Sequence, residues 1–206
     1  MPLHQHITPN EATHIWIWET TESNDALLEQ VRNLGWRLEL TDIASEQRRR
    51  EIIVTHLLMS LAGISKIYHE ADGRPYCNEY ASISLSHSKQ WVVLATHQSL
   101  PIGVDIECTT DRVLRVASRF MSEHELNYLP EDDLTTMLIA WCTKEAAYKI
   151  MGHTATDFRA SLCIHPFSAG EKGVVRVEHV PTTQKLTLYY QSHLLHYMLV
   201  YGIKEG

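Results

Sequence analysis

Apolar and polar positions alternate along the chain in patterns that predict helices and strands in turn. Residues 14–18, H-I-W-I-W, are rich in strand-forming side chains. Over residues 45–62 apolar side chains recur at helical spacing, which predicts an amphipathic helix, and Gly63 is suited to end it. A shorter helix is expected over residues 23–32, where serine or asparagine can cap its start.

Three strand-like stretches follow a turn at Asp72-Gly73 in the middle of the chain. They cover residues 81–86, 91–97 and 102–107, and short connections separate them. Such connections favour an antiparallel meander, because parallel neighbours need a crossover of about a dozen residues or more.

The second part of the chain has a similar order of elements. Residues 122–125, S-E-H-E, form a capping-box pattern, and a long helix is expected over residues 132–151, before Gly152. The expected strands after it are 174–180, 185–190 and 196–201. The predicted class is α+β, with strand, helix and sheet once before about residue 103 and once after it. No residue-level repeat relates the two parts.

Composition narrows the function classes. With 206 residues, 44% of them hydrophobic, the chain can bury one large core or two small ones. A net charge of −7 disfavours general nucleic-acid binding. The four cysteines lack a C-x-x-C pair, which predicts reduced thiols rather than a zinc or disulfide framework. No apolar run is long enough to span a bilayer and no secretory signal opens the chain, so we expect a cytoplasmic protein that uses no membrane.

Two carboxylates stand out in residues 103–107, G-V-D-I-E. On a strand, Asp105 and Glu107 point to the same side and lie about 7 Å apart. Two such groups repel each other unless they are solvated or bind a cation. A solvent-facing edge is the ordinary alternative.

A helical segment, residues 141–149 (W-C-T-K-E-A-A-Y-K), adds a third carboxylate. Its spacing places Trp141, Glu145 and Lys149 along one helix face. An i,i+4 ion pair between Glu145 and Lys149, worth a few tenths of a kcal/mol, is the ordinary explanation. The aromatic side chain beside them indicates instead a partly buried face with a polar task.

Magnesium suits the three oxygen ligands Asp105, Glu107 and Glu145. This ion binds few protein carboxylates, keeps some of its waters and takes its remaining ligands from substrate phosphates. The ammonium groups of Lys144 and Lys149 would neutralise the phosphate charge that the metal leaves over.

Two further segments are candidates for anion binding. Residues 84–88, S-L-S-H-S, place Ser86 and His87 at a strand end, and adjacent strand residues face opposite ways, so the two cannot readily act as nucleophile and base. They can instead donate to phosphate oxygens. Residues 47–51, Q-R-R-R-E, form either a solvated helix face or an anion-contacting one, and Arg74 is a similar candidate.

Residues 103–107 and 141–149, in that order and about forty residues apart, resemble a two-part signature. It is G-[IV]-D-[IVL]-E … W-x-x-K-E-[AS]-x-x-K, the signature of the 4′-phosphopantetheinyl transferase superfamily. The segment 86–88 resembles the family's S-H-S, and 73–75 looks like its G-K-P turn, with Arg74 replacing the lysine. Phe120 and Glu125 match its F-x(4)-E stretch. Taken together, the matching segments extend over roughly residues 47–152.

The chain length is similar to that of the surfactin-synthetase-activating type rather than to the half-sized, trimeric holo-acyl-carrier-protein synthases. This resemblance implies a monomer with two pseudo-symmetric halves, residues 1–103 and 104–206. Each half would hold a small antiparallel sheet packed with a long helix. Coenzyme A would bind in the cleft between the halves, and the second half would carry the metal site.

The resemblance also implies an activity. Such an enzyme moves the 4′-phosphopantetheine arm of coenzyme A onto a serine of an apo carrier protein, with Mg²⁺, and releases 3′,5′-ADP. Asp105, Glu107 and Glu145 would hold the metal, and Glu145 and Lys144 would be catalytic, with Glu145 as the base. The implied coenzyme A contacts are Arg50, Arg74, Pro75, Ser86, His87, Lys144 and Lys149. His56 stands where many relatives carry an arginine, which leaves the phosphate contacts of its helix open.

Two other interpretations remain. A metal-dependent nuclease would need E-x-K on a strand, whereas here Lys144 precedes Glu145 on a helix and the chain is acidic. A catalytically inactive homologue that binds coenzyme A or a carrier protein keeps the same residues. The sequence also leaves open whether the carrier serves fatty-acid, polyketide or nonribosomal-peptide synthesis.

Overall fold

The computed structural model describes residues 3–152, 157–193 and 196–204. Its helices are α1 (Asn24–Asn33), α2 (Glu46–Ala62), α3 (Arg112–Phe120), α4 (Glu123–Leu126), α5 (Leu134–Met151) and α6 (Phe158–Ser161). Its strands are β1 (Leu3–Asn10), β2 (Thr13–Glu19), β3 (Tyr68–His69), β4 (Pro75–Tyr76), β5 (Ser82–Ser88), β6 (Trp91–His97), β7 (Ile102–Cys108), β8 (Leu162–Ile164), β9 (Lys172–His179), β10 (Gln184–His193) and β11 (Tyr197–Ile203).

Two antiparallel sheets form the centre of the protein. One has the strand order β1-β2-β6-β5 and the other β7-β11-β10-β9-β8, while β3 and β4 form a small hairpin. The α+β class predicted from the sequence is therefore confirmed. None of the helices in the described ranges combines the length and apolar character that a membrane span needs.

The elements stack in four layers: α2, the first sheet, the second sheet and α5. Buried side chains of α2 pack on one face of the first sheet, against Trp18 and Leu94. The other face meets the second sheet, where Val93 packs in one cluster with Val104 and Ile106. Because β6 is buried on both faces, its first five residues are all apolar and do not alternate with polar ones. The buried side of α5 covers the outer face of the second sheet.

Local signals set the ends of the long helices as the sequence predicts. The hydroxyl of Ser45 accepts the N–H of Arg48 at the start of α2, and Gly63 ends the helix with a left-handed φ of 71°. Ser122 and Glu125 form the predicted capping box at α4. Asp133 caps α5, which ends at Gly152.

The predicted three-strand meander is wrong for its third member. β5 and β6 pair antiparallel, but β7 leaves them and pairs with β11 in the second sheet. The predicted boundary between residues 103 and 104 falls within β7. The division into two halves stays a prediction. Strand β1, which the sequence analysis did not predict, pairs antiparallel with β2.

A glycine brings α5 against β7. A Cβ on Gly103 would lie 2.1 Å from the carbonyl oxygen of Ala146, which is far inside contact distance. Only a residue without a side chain lets the helix backbone approach the strand this closely. The approach places the helix face that carries Glu145 and Lys149 beside Asp105 and Glu107.

Candidate active site

Asp105 and Glu107 project from β7 toward α5, as their predicted common side requires. Asp105 is buried, with 4% of its surface exposed, so the solvent-facing alternative does not apply to it. Its Oδ1 accepts from the hydroxyl of Ser86 at 2.8 Å. Glu107 Oε2 accepts from the hydroxyl of Ser88 at 2.6 Å, and its Oε1 accepts from the indole N–H of Trp141 at 3.3 Å. Both carboxylates are therefore held by neutral donors.

Lys149 supplies the positive charge at this cluster. Its Nζ lies 2.8 Å from Asp105 Oδ1 and also donates to the carbonyl of Val104 at 2.9 Å. The ion pair of Lys149 is thus with a carboxylate on β7, rather than the i,i+4 pair that local spacing suggested. One turn earlier on the same helix face, Glu145 forms no ion pair with the described residues, although the charge of Lys149 acts on it from farther away.

Burial, and to a smaller extent the crowding of like charges, raises the pKa of two of the carboxylates. Burial, with repulsion from Asp105 and Glu107, raises the pKa of Glu145 to about 7, although Lys149 opposes the shift. Burial also raises the pKa of Glu107, with the charge of Asp105 adding to it and the hydrogen bond from Ser88 opposing it. Three mutually repelling carboxylates indicate a site that favours additional positive charge.

The chemistry of the three carboxylates suits a hard divalent cation, although their spacing in this structure does not form a metal site. Asp105 Oδ2 is buried without a partner in hydrogen-bond geometry among the described residues, and such an orphan is costly unless a ligand satisfies it. All the donors are carboxylate oxygens, the chemistry that Mg²⁺ prefers. Within residues 3–152, 157–193 and 196–204, however, no three His, Cys, Asp or Glu side chains are grouped closely enough to hold a metal ion. Lys149 instead neutralises part of the charge.

A cavity of about 900 Å³ opens beside Glu107 and Glu145. One wall is apolar and comes mainly from α3 and α5, and cationic side chains are also present in the lining. Such a combination suits a ligand with an uncharged arm and anionic groups. The residues that line it besides the two glutamates are Ser88, Lys89, Cys108, Thr110, Arg112, Val113, Val116, Arg119, Phe120, Leu138, Trp141, Asp157 and Phe158.

A second cavity, of about 210 Å³, brings together three of the predicted coenzyme A contacts: Arg74, Pro75 and Lys149. The hairpin of β3 and β4 supplies the first two, and the last turn of α5 supplies the third. Arg74 also pairs with Asp72, whose carboxylate lies 3.2 Å from its Nε. Lys149 connects this cavity with the carboxylate cluster.

Lys144 lines neither cavity, and its predicted phosphate and catalytic roles stay predictions that its surroundings do not support. The side chain is fully buried, and its Nζ donates to Glu125 Oε2 at 2.8 Å. It also donates to the carbonyls of Phe120, Phe158 and Leu162 at 2.8, 3.0 and 2.8 Å. These acceptors take up its donors and close it off from any phosphate. Burial lowers the pKa of Lys144, and the charge of Glu125 opposes that shift.

The partner of this lysine explains the F-x(4)-E stretch. Glu125 is fully buried, and besides Lys144 it accepts from the backbone N–H groups of Ser122 and Ile164. Phe120 contributes its carbonyl to the lysine and its ring to the large cavity. The Lys144–Glu125 pair thus joins the end of α3, α4, α6 and β8 to α5. Sequence reasoning noted the stretch but assigned it no role.

Ser86 and His87 have different environments. The hydroxyl of Ser86 is buried and bonded to Asp105 and to the N–H of Ile106, so its predicted phosphate contact is not supported. His87 is exposed, with Nδ1 at 3.1 Å from Glu51 Oε1. Its Nε2 lies 3.5 Å from the guanidinium of Arg48, an exposed cationic side chain of α2 that faces β5.

Arg50 points elsewhere. Its Nε donates to Asn24 Oδ1 at the start of α1, and it contributes to neither of the two cavities. Because positions 48 and 50 lie about 200° apart around a helix, only one of them can face β5, and that one is Arg48. His56 faces the ring of Trp36, with ring centroids 5.3 Å apart, so it too is directed away from His87.

The fold and the carboxylate cluster coincide with a known family. The family model of the 4′-phosphopantetheinyl transferase superfamily matches residues 101–198, which include β7, α3 to α5 and most of the second sheet. The match covers just under half of the chain, and it confirms the resemblance found in the sequence over those residues.

Two curated relatives agree with the family match. The chain is 29% identical over 84 residues to 4′-phosphopantetheinyl transferase gsp of Aneurinibacillus migulanus, covering 39% of this chain and 35% of the relative. It is 30% identical over 112 residues to 4′-phosphopantetheinyl transferase psf-1 of Bacillus pumilus, covering 50% and 48%. The matches therefore span between about a third and a half of the relatives' length.

Proposed function

We propose that this protein is a 4′-phosphopantetheinyl transferase of the surfactin-synthetase-activating type, with coenzyme A and an apo carrier protein as its substrates. The observation that carries the proposal is the cluster of Asp105, Glu107 and Glu145 beside the cavity of about 900 Å³, within the region that matches the family. The cavity supplies an apolar wall for the pantetheine arm and cations for the phosphates.

Asp105, Glu107 and Glu145 would hold Mg²⁺ on the pyrophosphate of coenzyme A. Bound there, the ion would supply positive charge where the reaction builds up negative charge. Lys149 adds a fixed ammonium group next to Asp105, and Arg74 and Pro75 line the adjoining small cavity. The carboxylate cluster with Lys149 would thus bind one part of the pyrophosphate region, and the small cavity with Arg74 would bind the adjoining part.

The transfer itself needs one proton acceptor. The carrier serine oxygen attacks the β-phosphorus, the bond between that phosphorus and the bridging oxygen breaks, and 3′,5′-ADP leaves with the electron pair. The serine proton would pass to Glu145, the carboxylate of α5 that lines the large cavity. The apolar side chains of Phe120 and Phe158 help to keep water from the reacting phosphorus.

Intact-protein mass spectrometry of an apo carrier protein tests this proposal. We expect a mass gain of one phosphopantetheine arm with enzyme, coenzyme A and Mg²⁺, and no gain after addition of a chelator. Glu145→Gln keeps the shape of the side chain but removes the base, so transfer should fall by about a hundredfold or more. Glu29→Gln, at an exposed position of α1, is the matched control.

The alternative of an inactive homologue gives a different result. Isothermal titration would then show binding of coenzyme A, while carriers of fatty-acid, polyketide and nonribosomal-peptide synthesis would gain no mass. Absence of coenzyme A binding as well would refute the proposed function.

A further inference from the structure

Four serines alternate along β5, and each hydroxyl accepts a backbone N–H of β7. We call these residues, Ser82, Ser84, Ser86 and Ser88, the serine ladder. The N–H donors are those of Ile102, Val104, Ile106 and Cys108, with N···O distances of 3.1, 3.0, 3.3 and 3.2 Å.

The serine ladder replaces ordinary strand pairing between the two sheets. Each donor lies twenty positions after its serine, so β5 and β7 run in the same direction in constant register. β7 pairs with β11 at its other edge. Its N–H groups toward β5 have hydroxyl oxygens where a neighbouring strand would offer carbonyls. A buried N–H left without an acceptor would cost about 1–3 kcal/mol.

Two serines of the ladder, Ser86 and Ser88, also donate a hydrogen bond to a carboxylate. Ser86 accepts the N–H of Ile106 and donates to the preceding side chain, Asp105. Ser88 accepts the N–H of Cys108 and donates to the preceding side chain, Glu107.

The other two serines, Ser82 and Ser84, have no neighbouring carboxylate on β7 to which they could donate. The residues that precede their N–H donors are Pro101 and Gly103, neither of which carries a polar side chain. Ser82 and Ser84 therefore share the backbone contact with the other rungs but lack the contact to the site.

We infer that Ser86 and Ser88 are positioning residues that orient the two carboxylates of β7 for cation binding, rather than residues that contact substrate phosphates. Ser86, together with Lys149, fixes Oδ1 of Asp105 and so orients the whole carboxylate, whose buried Oδ2 has no partner in hydrogen-bond geometry among the described residues. Ser88 and Trp141 hold the two oxygens of Glu107 from opposite ends, which restricts its rotation. Outer partners of this kind determine how well ligands are preorganised.

The inference rests on the proposed function only in taking Asp105 and Glu107 as cation ligands. Its test can therefore measure metal binding instead of transfer. The probe is Mn²⁺ added to the full-length protein, with free Mn²⁺ followed by electron paramagnetic resonance and stability followed by urea unfolding.

The chain contains a matched set of variants. Ser82→Ala and Ser88→Ala each remove one rung from a half-buried position, but only Ser88→Ala removes a carboxylate contact. We expect similar losses of stability in the two variants, and a loss of Mn²⁺ affinity of about 10- to 100-fold in Ser88→Ala alone. Ser88→Thr restores the hydroxyl and should restore the affinity.

Equal loss of Mn²⁺ affinity in Ser82→Ala and Ser88→Ala would overturn the inference, because the ladder would then act only through the fold. Wild-type protein that binds no Mn²⁺ would also overturn it. The expected Mn²⁺ pattern together with no transfer to any carrier would support the positioning role and refute the proposed function, so the two failures are distinguishable.

Discussion

Replacing Lys144 by methionine separates a structural role from a phosphate-binding one. Methionine is similar in length and apolar, so it fills the space of the lysine stem without the charge. The change leaves Glu125 buried without its counter-ion and removes the donor to three carbonyls, those of Phe120, Phe158 and Leu162. Breaking a buried pair by removing one partner costs about 3–5 kcal/mol.

Part of that loss is softened by the remaining partners of Glu125. The carboxylate keeps hydrogen bonds from the N–H and hydroxyl of Ser122 and from the N–H of Ile164. We therefore expect a loss near 3 kcal/mol. For a chain of this size, that is a lower melting temperature by about 6–12 °C.

Urea unfolding followed by tryptophan fluorescence and circular dichroism measures this loss. Lys172→Met, at an exposed position of β9, is the control and should change stability by no more than about 0.5 kcal/mol. A Lys144→Met variant with wild-type stability and a raised KM for coenzyme A would refute the reasoning and restore the phosphate role.

Three further predictions concern packing, titration and anion contact. Gly103→Ala should cost several kcal/mol in urea unfolding, because its Cβ would meet a helix carbonyl at 2.1 Å, whereas Gly170→Ala, with its nearest atom at 3.8 Å, should not. The hydroxyl and the N–H of Ser65 lower the pKa of Glu79 to about 2. The stabilisation from this group should therefore be complete above about pH 4.5 and be lost as the pH falls toward 2. NMR titration of the carboxyl carbon of Glu79 measures this pKa. Arg48→Gln should weaken coenzyme A binding about fivefold in isothermal titration, equivalent to ~1 kcal/mol, and Arg50→Gln should leave it unchanged.

Each of these has a result that contradicts it. Equal stability of the two alanine variants would mean that α5 can move away from β7 without loss. A titration midpoint of Glu79 near 4.5 would show that its serine contacts do not persist in solution. Equal effects at Arg48 and Arg50 would indicate that the charge of the helix, rather than the position of one guanidinium, attracts the ligand.

Local features of the sequence were enough to predict most elements. The spacing of apolar residues over 45–62, with Ser45 and Gly63 at the ends, predicts α2 almost to the residue. Alternation along 103–107 correctly placed Asp105 and Glu107 on one side of a strand. These predictions succeed because capping and side-chain alternation depend on residues within one or two turns of each other.

The sequence did not predict which strand β7 pairs with. Short connections predicted that β7 follows β6 in one sheet, yet it pairs with β11, a strand that lies far away along the chain. Neither spacing nor alternation specifies which strand edge another strand will meet. The serine ladder shows the consequence, since the alternating serines were visible in the sequence while the backbone they satisfy was not.

The two lysines of residues 141–149 show the same division within a single helix. Positions 144 and 149 lie about 140° apart around the axis, so they cannot share a face with Trp141 and Glu145 equally well. That angle could be calculated from the sequence, and it places Lys149 on that face, although both lysines were expected to contact phosphates. Only tertiary packing decided where Lys144 goes, because Glu125 and three backbone carbonyls come together around it from segments that are separate along the chain. The sequence by itself thus determined the local elements and the chemical types of the site residues, while long-range packing decided which lysine lies beside the carboxylate cluster and which one is buried in the core.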